Sequence, residues 1–550
     1  MTFIEAFIQI LKFYKINHIF GVPGDFILSA FKAFDDSTIN LINTCDEQGA
    51  GFAADAYARL NGIGVVCVTY GVGALKIVNT TAQSYAEKNP VLVISGAPSN
   101  DEKNNCHMLH HKSVHYDTQL QIFKSITHKA LRITNLKNAI NQMIELIHTA
   151  QKFKGPVYLE IPRDLINLET KLPQNIKLEN LKSNKKNLVA IKKKIISNLK
   201  NSKKPMLLLG TEIQRFDLQD KTLDFAKQWQ IPIYSTIMAK SVISESHPLF
   251  KGVYQGHLDN PKIAKQLESS DCVICLGTWL TDVNLGIFTS KLKIKNLIQV
   301  MTNKVMIDSD EYENILLSDV LAKLSSVYKR NKRNTQLLQS TKKKTFKAQN
   351  NTMITTKRLF ECLNSYIDSS HIIISDVGDC LFGALSMNLP ETSQFLSPAY
   401  YTSMGFAVPA ALATQSLFPE KRSIVIVGDG AFQMTGMEVS TLLHFNMNPI
   451  IIILNNKGYA TERPIQDGSF NNILSWNYHL IPKMMGKGIG INVNDEISLI
   501  NALSEAEIND KQLCLIQVNV KKTDYSQVLK NLAEGLKKQL YKDKKINIKK

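Results

Sequence analysis

Residues 428–456 read GDGAFQMTGMEVSTLLHFNMNPIIIILNN, in which two apolar runs each end in polar residues. The run 424–427 leads into Gly-Asp-Gly, and the run 450–454 leads into Asn-Asn, with a helical segment between them. This order predicts a βαβ unit of an open parallel sheet. Sheets of this kind bind ligands at the carboxyl ends of their strands, and that is where these polar residues fall.

The two strand ends offer ligands for a cation and a phosphate. Asp429 and Asn456 are expected on adjacent strand ends as two hard oxygen ligands, with the carbonyl of Gly458 as a third. Gly428 and Gly430 allow close approach of the backbone, so that successive amides face phosphate oxygens. Mg²⁺ accepts few protein ligands and completes its shell with phosphate and water. A Gly-Asp-Gly turn alone is common, but its spacing from Asn-Asn is much more specific.

The length and hydrophobicity indicate a multidomain globular protein. A chain of 550 residues is too long for one core, so two to four domains are expected. No apolar run reaches the length of a membrane helix, so no membrane partner is expected. The start, MTFIEAFIQILKFY, lacks the pattern of a leader and is typical of an amphipathic core helix. Cytoplasmic residence is the default expectation.

The net charge of +17 raises the question of a nucleic-acid partner. The lysines concentrate at 181–194, 328–334, 342–347 and the end of the chain, where aromatic residues are few. Basic text of this kind between domains is usually solvated surface. We therefore expect no nucleic-acid partner.

The cysteines do not indicate a disulfide framework, because eight are spread over a long chain. Cys272 and Cys275 form a CxxC, which is compatible with a redox or zinc site. The pair lies in the apolar run CVICLG, however, and no second CxxC exists. Packing in a buried strand is the favoured interpretation.

Alternation of apolar strands, glycine turns and helical segments predicts an α/β fold with three doubly wound parallel-sheet domains. Their predicted ranges are 1–172, 190–328 and 355–540, followed by a basic tail at 541–550. The middle range has neither GxGxxG nor a GKS/T loop, which argues against nucleotide binding there. In the third range, residues 471–486 are predicted to form a helix that closes the site.

Four candidate residues precede the middle range. Asp25 lies on a Gly/Pro turn, where capping a helix is the commoner role. Glu47 is predicted to open a helix after the strand 41–43, with small residues that allow close packing. His110 and His111 are adjacent, and tandem histidines alone are more often a surface or core detail.

Taken together, these motifs resemble a known family. The GDG to NN stretch resembles the diphosphate-binding motif of thiamine diphosphate (ThDP) enzymes, and Glu47 in EQGAGFAADAYAR resembles their pyrimidine-binding glutamate. GDF with Asp25, LHH with His110 and His111, and GYATE with Glu462 resemble the pyruvate and indolepyruvate decarboxylase group. The resemblance covers nearly the whole chain.

The resemblance implies ThDP and Mg²⁺ as cofactors. It makes 1–172 the pyrimidine-binding domain, 190–328 the central domain and 355–540 the diphosphate- and Mg-binding domain. The ligands of Mg²⁺ would be Asp429, Asn456 and Gly458. The remaining cofactor contacts implied are Glu47, Thr402, Met404, Gly428, Gly430 and Ala431, with Met404 wedged under the cofactor and the Thr402 carbonyl on the pyrimidine.

The resemblance also implies the catalytic roles and the assembly. Glu47 would bond the pyrimidine ring, Glu462 would handle the substrate carboxylate and the protonation step, and Asp25 with the two histidines would serve product release. The two halves of the site would lie on different subunits of a homodimer or homotetramer.

The implied reaction is non-oxidative decarboxylation of a 2-oxo acid to an aldehyde and CO₂. Val283 stands where pyruvate-specific relatives carry an aromatic residue, which favours bulky acids such as indolepyruvate, phenylpyruvate or branched-chain ones, although pyruvate stays open. Leu381 sits where smaller residues are common. Two departures from the pattern are Lys76, in place of serine, and Asp379, in place of a hydroxyl residue near the diphosphate.

Two other functions compete. A carboligase of the acetolactate-synthase type shares the cofactor motif, but such enzymes generally lack the LHH pair and Glu462. A catalytically idle ThDP fold acting as a basic binding module is disfavoured by the intact set of Glu47, Asp429, Asn456 and Glu462.

Overall fold

The computed structural model describes residues 1–105, 108–173, 181–325 and 345–547, with side chains up to residue 537. In these ranges the strands form three sheets, each packed between helices. The predicted α/β class with three domains is confirmed. Among the described residues, no helix combines the length and apolarity that crossing a lipid bilayer requires.

The first sheet has the strand order β2-β1-β3-β4-β6-β5, and all its pairs are parallel. Its elements are α1 (Phe3–Phe13), β1 (His18–Gly21), α2 (Leu28–Asp35), β2 (Asn40–Asn43), α3 (Glu47–Asn61), β3 (Gly64–Val68), α4 (Val72–Lys76), α5 (Val78–Ala86), β4 (Val91–Ala97), α6 (Asn100–Asn104), α7 (Thr118–Ile126), β5 (Lys129–Arg132), α8 (Ala139–Phe153) and β6 (Val157–Pro162). Apolar side chains of α1, including Phe3, Phe7 and Leu11, are buried as the helical spacing predicts.

The second sheet has the order β13-β12-β11-β10-β7-β8-β9. Its elements are α9 (Lys185–Asn201), β7 (Pro205–Leu209), α10 (Glu212–Arg215), α11 (Gln219–Trp229), β8 (Ile233–Ser235), β9 (Phe250–Val253), α12 (Pro261–Glu268), β10 (Cys272–Leu276), β11 (Leu297–Met301), β12 (Lys304–Ile307), β13 (Asp310–Glu313) and α13 (Leu317–Ser325), with 3-10 turns at Ile237–Ala239 and Ile294–Asn296. Cys272 and Cys275 are both buried in β10.

The second sheet is not wholly parallel, which corrects the sequence prediction. Strands β11, β12 and β13 pair antiparallel at one edge. Two residues, 302 and 303, join β11 to β12, and Asn303 takes a left-handed φ of 71°. Such a tight turn can join only antiparallel neighbours, because a parallel return needs a crossover of a dozen residues or more.

The third sheet has the order β15-β14-β16-β17-β19-β18, with parallel pairs throughout. Its elements are α14 (Thr356–Tyr366), β14 (His371–Ser375), α15 (Asp379–Leu385), β15 (Phe395–Leu396), α16 (Ala407–Leu417), β16 (Arg422–Gly428), α17 (Asp429–Thr435), α18 (Val439–His444), β17 (Ile450–Asn455), α19 (Ile481–Met484), β18 (Ile489–Val493), α20 (Glu496–Ile508), β19 (Cys514–Asn519) and α21 (Gln527–Asn547), with 3-10 turns at Gly436–Glu438, Ser469–Asn471 and Tyr478–Leu480.

Two sequence predictions near the end of the chain need correction or limitation. Residues 471–486 do not form one helix; they hold short turns and the four-residue α19. Pro482 and the asparagines of this stretch explain the interruption, since proline lacks an amide donor and asparagine favours turns. Helix α21 continues through 541–547 of the predicted basic tail, whereas residues 548–550 and most of the lysine-rich linker, 326–344, lie outside the described residues.

A buried acid lies in the core of the first domain. Glu160 on β6 is fully buried, and its Oε1 accepts hydrogen bonds from the Tyr158 hydroxyl at 2.9 Å and the Gln119 amide at 3.2 Å. Arg132 Nη1 lies 3.7 Å from Oε2. Burial raises the pKa of Glu160 to about 7, despite these contacts.

We expect Glu160→Gln to change how stability depends on pH. Since the folded pKa of Glu160 is raised from 4.5 to about 7, its contribution to stability is full at low pH and is lost as pH rises through 7. The glutamine variant lacks this dependence. Between pH 5 and 8, its free energy of unfolding should therefore rise relative to that of the natural protein by an amount on the order of 3 kcal/mol. Thermal unfolding midpoints at several pH values would check this, and a gap that does not vary with pH would contradict it.

Candidate active site

A cavity of about 540 Å³ opens at the carboxyl ends of strands β14, β16 and β17. The parallel strands bring together residues that lie far apart in sequence, because each strand ends in a polar turn at the same edge of the sheet. We call this space the C-terminal cavity. The residues lining it are Val283, Val377, Gly378, Asp379, Cys380, Leu381, Phe382, Thr402, Met404, Gly428, Asp429, Gly430, Ala431, Leu454, Asn456, Gly458, Tyr459, Ala460, Thr461, Glu462 and Leu532.

Asp429 and Asn456 meet in this cavity as the sequence predicts, because β16 and β17 are neighbours with Gly428 opposite Leu454. Asp429 is 1% exposed, and its two carboxylate oxygens accept the amides of Gly430 at 2.9 Å and Gly458 at 3.1 Å. Burial raises the pKa of Asp429 to about 6. A buried carboxylate held only by backbone amides is well suited to bind a cation.

The donor set fits Mg²⁺ with a diphosphate. Asn456 Oδ1 is buried and has no hydrogen-bond partner in the described ranges, so a hard oxygen is left for a ligand. The Gly458 carbonyl accepts the Ala460 amide at 3.0 Å and keeps a second lone pair. Helix α17 begins at Asp429, so the amides of Gly430 and Ala431 lie at a helix N-terminus, where they favour anionic groups.

At two positions of this site, steric contacts explain why the residue is glycine. A side chain at position 430 would come within 2.8 Å of the Tyr459 ring. Gly458 has a φ of +149°, and a side chain there would come within 2.0 Å of the Asn471 carbonyl oxygen. Gly428 differs, because a Cβ there would meet no atom of the described part of the chain within 4 Å. Its lack of a side chain leaves room at the cavity rather than relieving a contact.

Asp376 anchors the turn that carries Met404. It follows β14 and is fully buried, and its carboxylate accepts the amides of Val377 at 3.0 Å, Gly405 at 3.2 Å and Ala407 at 2.9 Å. Burial raises the pKa of Asp376 to about 6, although these amides act in the opposite direction. Thr402, with a left-handed φ of 56°, and Met404 both line the C-terminal cavity. The turn is therefore fixed before any ligand arrives.

Glu462 lies on the turn after β17 and reaches the same cavity, with an exposed side chain. Val283, from the central domain, and Leu381, from α15, line it as well. Glu462 thus adds a carboxylate to the lining of a mainly apolar cavity that also contains Asp429 and Asn456.

A second cluster, which we call the N-terminal cluster, contains Asp25, His110 and His111. His110 Nε2 lies 2.9 Å from Asp25 Oδ2, and the rings of His110 and His111 are edge to face at 4.6 Å. The ring of Phe26 packs against both histidines, at 5.1 and 5.9 Å. His111 Nδ1 is buried without a hydrogen-bond partner among the described residues, so this nitrogen is available to a ligand or water.

Glu47 opens helix α3, as predicted, with Asp46 as the N-cap residue. Its side chain is 13% exposed, and Oε2 lies 3.1 Å from Lys76 Nζ. Gly73 of the GVG turn faces Oε1, and a Cβ at that glycine would be 3.2 Å from this oxygen. Lys76, which stands where the resembling enzymes have serine, therefore places its ammonium group next to the Glu47 carboxylate.

The predicted site residues fall into two groups within one chain. Those of the third domain line the C-terminal cavity together. Glu47 and the N-terminal cluster do not line it. Within the described residues of one chain, the predicted site residues therefore do not share a single cavity.

Some functional residues were missed from sequence. Asp376 follows an apolar strand just as Asp429 does, and that pattern could have revealed it. Leu532 reaches the cavity from α21, more than 70 positions after Asn456, and no sequence signal marks it. The structure gives Asp379 a local structural contact: its Oδ2 accepts the Ser526 amide at 2.9 Å, and burial raises its pKa to about 6.

Comparison with known proteins identifies the family. Residues 1–122 match the thiamine pyrophosphate enzyme N-terminal TPP binding domain, residues 192–324 the central domain and residues 376–518 the C-terminal TPP binding domain. The chain belongs to the thiamine pyrophosphate enzyme family. Thiamine pyrophosphate is another name for ThDP, so the cofactor predicted from the sequence is confirmed.

Relatives match over nearly the full length. Indole-3-pyruvate decarboxylase of Azospirillum brasilense is 31% identical over 544 residues, covering 98% of this chain and 99% of the relative. A probable pyruvate decarboxylase of Schizosaccharomyces pombe is 30% identical over 531 residues, covering 94% and 92%. Pyruvate decarboxylase 1 of Arabidopsis thaliana is 29% identical over 530 residues, covering 94% and 87%.

We predict that Asp376→Asn weakens cofactor binding as well as the fold. The amide group would turn a donor towards backbone amides, at a cost of about 1–3 kcal/mol, and the Met404 turn would lose its anchor. Because a ligand stabilises a protein according to its affinity, the deficit in unfolding temperature should grow when ThDP and Mg²⁺ are added. Thermal unfolding with and without the cofactors measures this; an equal deficit in both conditions would show that Asp376 serves only the fold.

Proposed function

We propose that the protein catalyses non-oxidative decarboxylation of a 2-oxo acid to an aldehyde and CO₂, using ThDP and Mg²⁺. The observation that carries the proposal is the C-terminal cavity, where the diphosphate-binding residues, Met404 and Glu462 share one space. The names of the full-length relatives, all decarboxylases, support it. They do not favour the carboligase alternative.

The third domain would hold the cofactors. Asp429, Asn456 and the Gly458 carbonyl would bind Mg²⁺, and the amides of Gly430 and Ala431 would face the diphosphate. Met404 would pack against the cofactor, while the Thr402 carbonyl and the Met404 amide would bond its pyrimidine ring. The support for this assignment is the buried, partnerless Asn456 oxygen beside the buried Asp429 carboxylate.

When bound, ThDP supplies a carbon nucleophile for the keto group and accepts the electron pair released as CO₂ leaves. Glu47 would exchange a proton with the pyrimidine ring. Glu462 would bind the substrate carboxylate and deliver a proton to the new aldehyde carbon. The Asp25, His110 and His111 set would relay protons during release, for which the 2.9 Å contact between His110 and Asp25 is a suitable geometry.

We propose a homodimer, or a tetramer built from it, in which the C-terminal cavity of one copy meets Glu47 and the N-terminal cluster of the other. The reason is chemical, because the reaction needs both halves and the cavity of one chain lacks the second. The third domain also has exposed apolar side chains that a partner could cover; they are Met434, Met437, Phe470, Leu474 and Met484.

The cavity favours a bulky substrate. Val283, Leu381, Phe382 and Leu532 supply apolar walls to this cavity of about 540 Å³. We therefore propose indolepyruvate, phenylpyruvate or a branched-chain acid as the preferred substrate, with pyruvate as a smaller alternative.

We propose a cytoplasmic location. Apart from Cys272, the described cysteines are free thiols, and all of these except Cys45 are buried. Buried thiols without disulfides are typical of a reducing compartment.

Aldehyde release tests the proposal. With pyruvate, a branched-chain 2-oxo acid, phenylpyruvate and indolepyruvate, we expect turnover that requires ThDP and Mg²⁺, with the highest kcat/KM for a bulky acid. Val283→Phe is the matched control for pocket size, and it should lower kcat/KM for indolepyruvate by about tenfold while changing that for pyruvate little. Formation of a condensed hydroxyketone without aldehyde would contradict the proposal, and so would the absence of any cofactor-dependent product.

A further inference from the structure

Lys76 faces an acidic group at the start of helix α3. It is the last residue of α4, and its Nζ lies 3.1 Å from Glu47 Oε2 while also donating a hydrogen bond to Asp46 Oδ2. A third carboxylate, Glu438 of the C-terminal domain, accepts the amides of Cys45 at 3.2 Å and Asp46 at 3.1 Å. Among the described residues, Lys76 is the cation that pairs with this group.

Asp46 fixes the position of the ammonium group. Its Oδ1 caps helix α3 by accepting the Gln48 amide at 2.8 Å, which leaves Oδ2 for Lys76. Hydrogen bonding to Asp46 raises the pKa of Lys76 further, so the amine is charged at neutral pH. The lysine is thus tied to the helix cap, although half of its side chain is exposed.

The contact leaves the two oxygens of Glu47 in different states. Oε2 is held by Lys76, whereas Oε1 points towards Gly73 and makes no hydrogen bond to any described residue. A glutamate side chain with one oxygen held has fewer rotamers to lose when a ligand binds the other oxygen. Oε1 of Glu47 is therefore the carboxylate oxygen that stays available to a ligand, and the contact of Oε2 with Lys76 restricts its direction.

We propose that Lys76 is a positioning residue that grips Glu47 through Oε2 and so presents Oε1 to the pyrimidine ring of ThDP. The inference rests on the proposed function, because it takes Glu47 as the group that bonds this ring. Lys76 acts through Glu47 and does not itself touch substrate or cofactor. It explains why a lysine at this position, between the GVG turn and helix α5, is compatible with cofactor binding.

The affinity for ThDP, measured by titration calorimetry at fixed Mg²⁺, tests the proposal without relying on turnover. Lys76→Met should weaken ThDP binding by about 5- to 10-fold, since a held ion pair next to a partly buried carboxylate is lost. Lys76→Ser should have the same effect, and Lys76→Arg should restore the affinity to within about 2-fold. Lys32→Met, which removes an exposed lysine paired with Asp36 on the same domain, is the control and should change nothing.

A double-mutant cycle with Glu47→Gln separates positioning from a general effect. If Lys76 acts through Glu47, Lys76→Met should change the affinity by less than about 2-fold in the Glu47→Gln background. An equal loss in both backgrounds would overturn the proposal, and tighter binding by Lys76→Met would do so too. Failure of the proposed decarboxylation would look different from failure of the Lys76 proposal, because the natural protein would then bind ThDP yet release no aldehyde from any 2-oxo acid.

Discussion

Helix α3, which begins at Glu47, packs against helix α16 of the third domain. This packing determines where Glu47 lies relative to the C-terminal cavity of the same chain. Phe52 meets Phe406 edge to face at 5.9 Å, and the Arg59 guanidinium lies over the Phe406 ring and donates to the Ser397 carbonyl. Glu438 adds hydrogen bonds to the amides just before Glu47. These contacts fix Glu47 relative to the third sheet of its own chain. Because that arrangement leaves Glu47 out of the lining of the C-terminal cavity, the reaction we propose would take its Glu47 from a second copy.

Electrostatics explains why the cavity is a cofactor site rather than a packing defect. Asp376, Asp379 and Asp429 are all buried around it, and burial raises the pKa of each to about 6. Burying carboxylates costs free energy unless they are paired, and backbone amides offset only part of this cost. The Asp376 carboxylate accepts backbone amides of the Met404 turn, and the Asp379 carboxylate accepts the Ser526 amide. Asp429 differs, because the Asn456 Oδ1 in the same cavity has no hydrogen-bond partner among the described residues. A divalent cation between Asp429 and Asn456 would satisfy both groups.

The sequence predicted the fold class and the cofactor because both depend on local patterns. Apolar strands ending in Gly-Asp-Gly and Asn-Asn must place their polar residues at one edge of a parallel sheet, and the structure has them there. The edge hairpin of the second sheet was missed, because a strand rich in charge, DEYE, lacks the apolar signal of a buried strand. The helix predicted at 471–486 was wrong, because its hydrophobic content outweighed the proline and asparagines that break it.

Contacts between distant segments could not be read from the sequence. Lys76 and Glu47 lie 29 positions apart, and only the packing of α4 beside the start of α3 brings the ammonium group to the carboxylate. Leu532 reaches the cavity only because α21 returns to the third domain. The roles of the individual site residues remain predictions that geometry supports.

Subunit complementation tests the central claim most directly. Glu47→Gln and Asp429→Asn would each inactivate a homodimer, but a mixed dimer keeps one intact site if each site draws Glu47 from one copy and Asp429 from the other. Co-expression of the two variants should therefore restore up to about a quarter of the natural ThDP-dependent aldehyde release, if copies pair at random. If the mixed sample stays as inactive as the two parents, although mixed dimers are present, the claim of a site shared between copies is wrong.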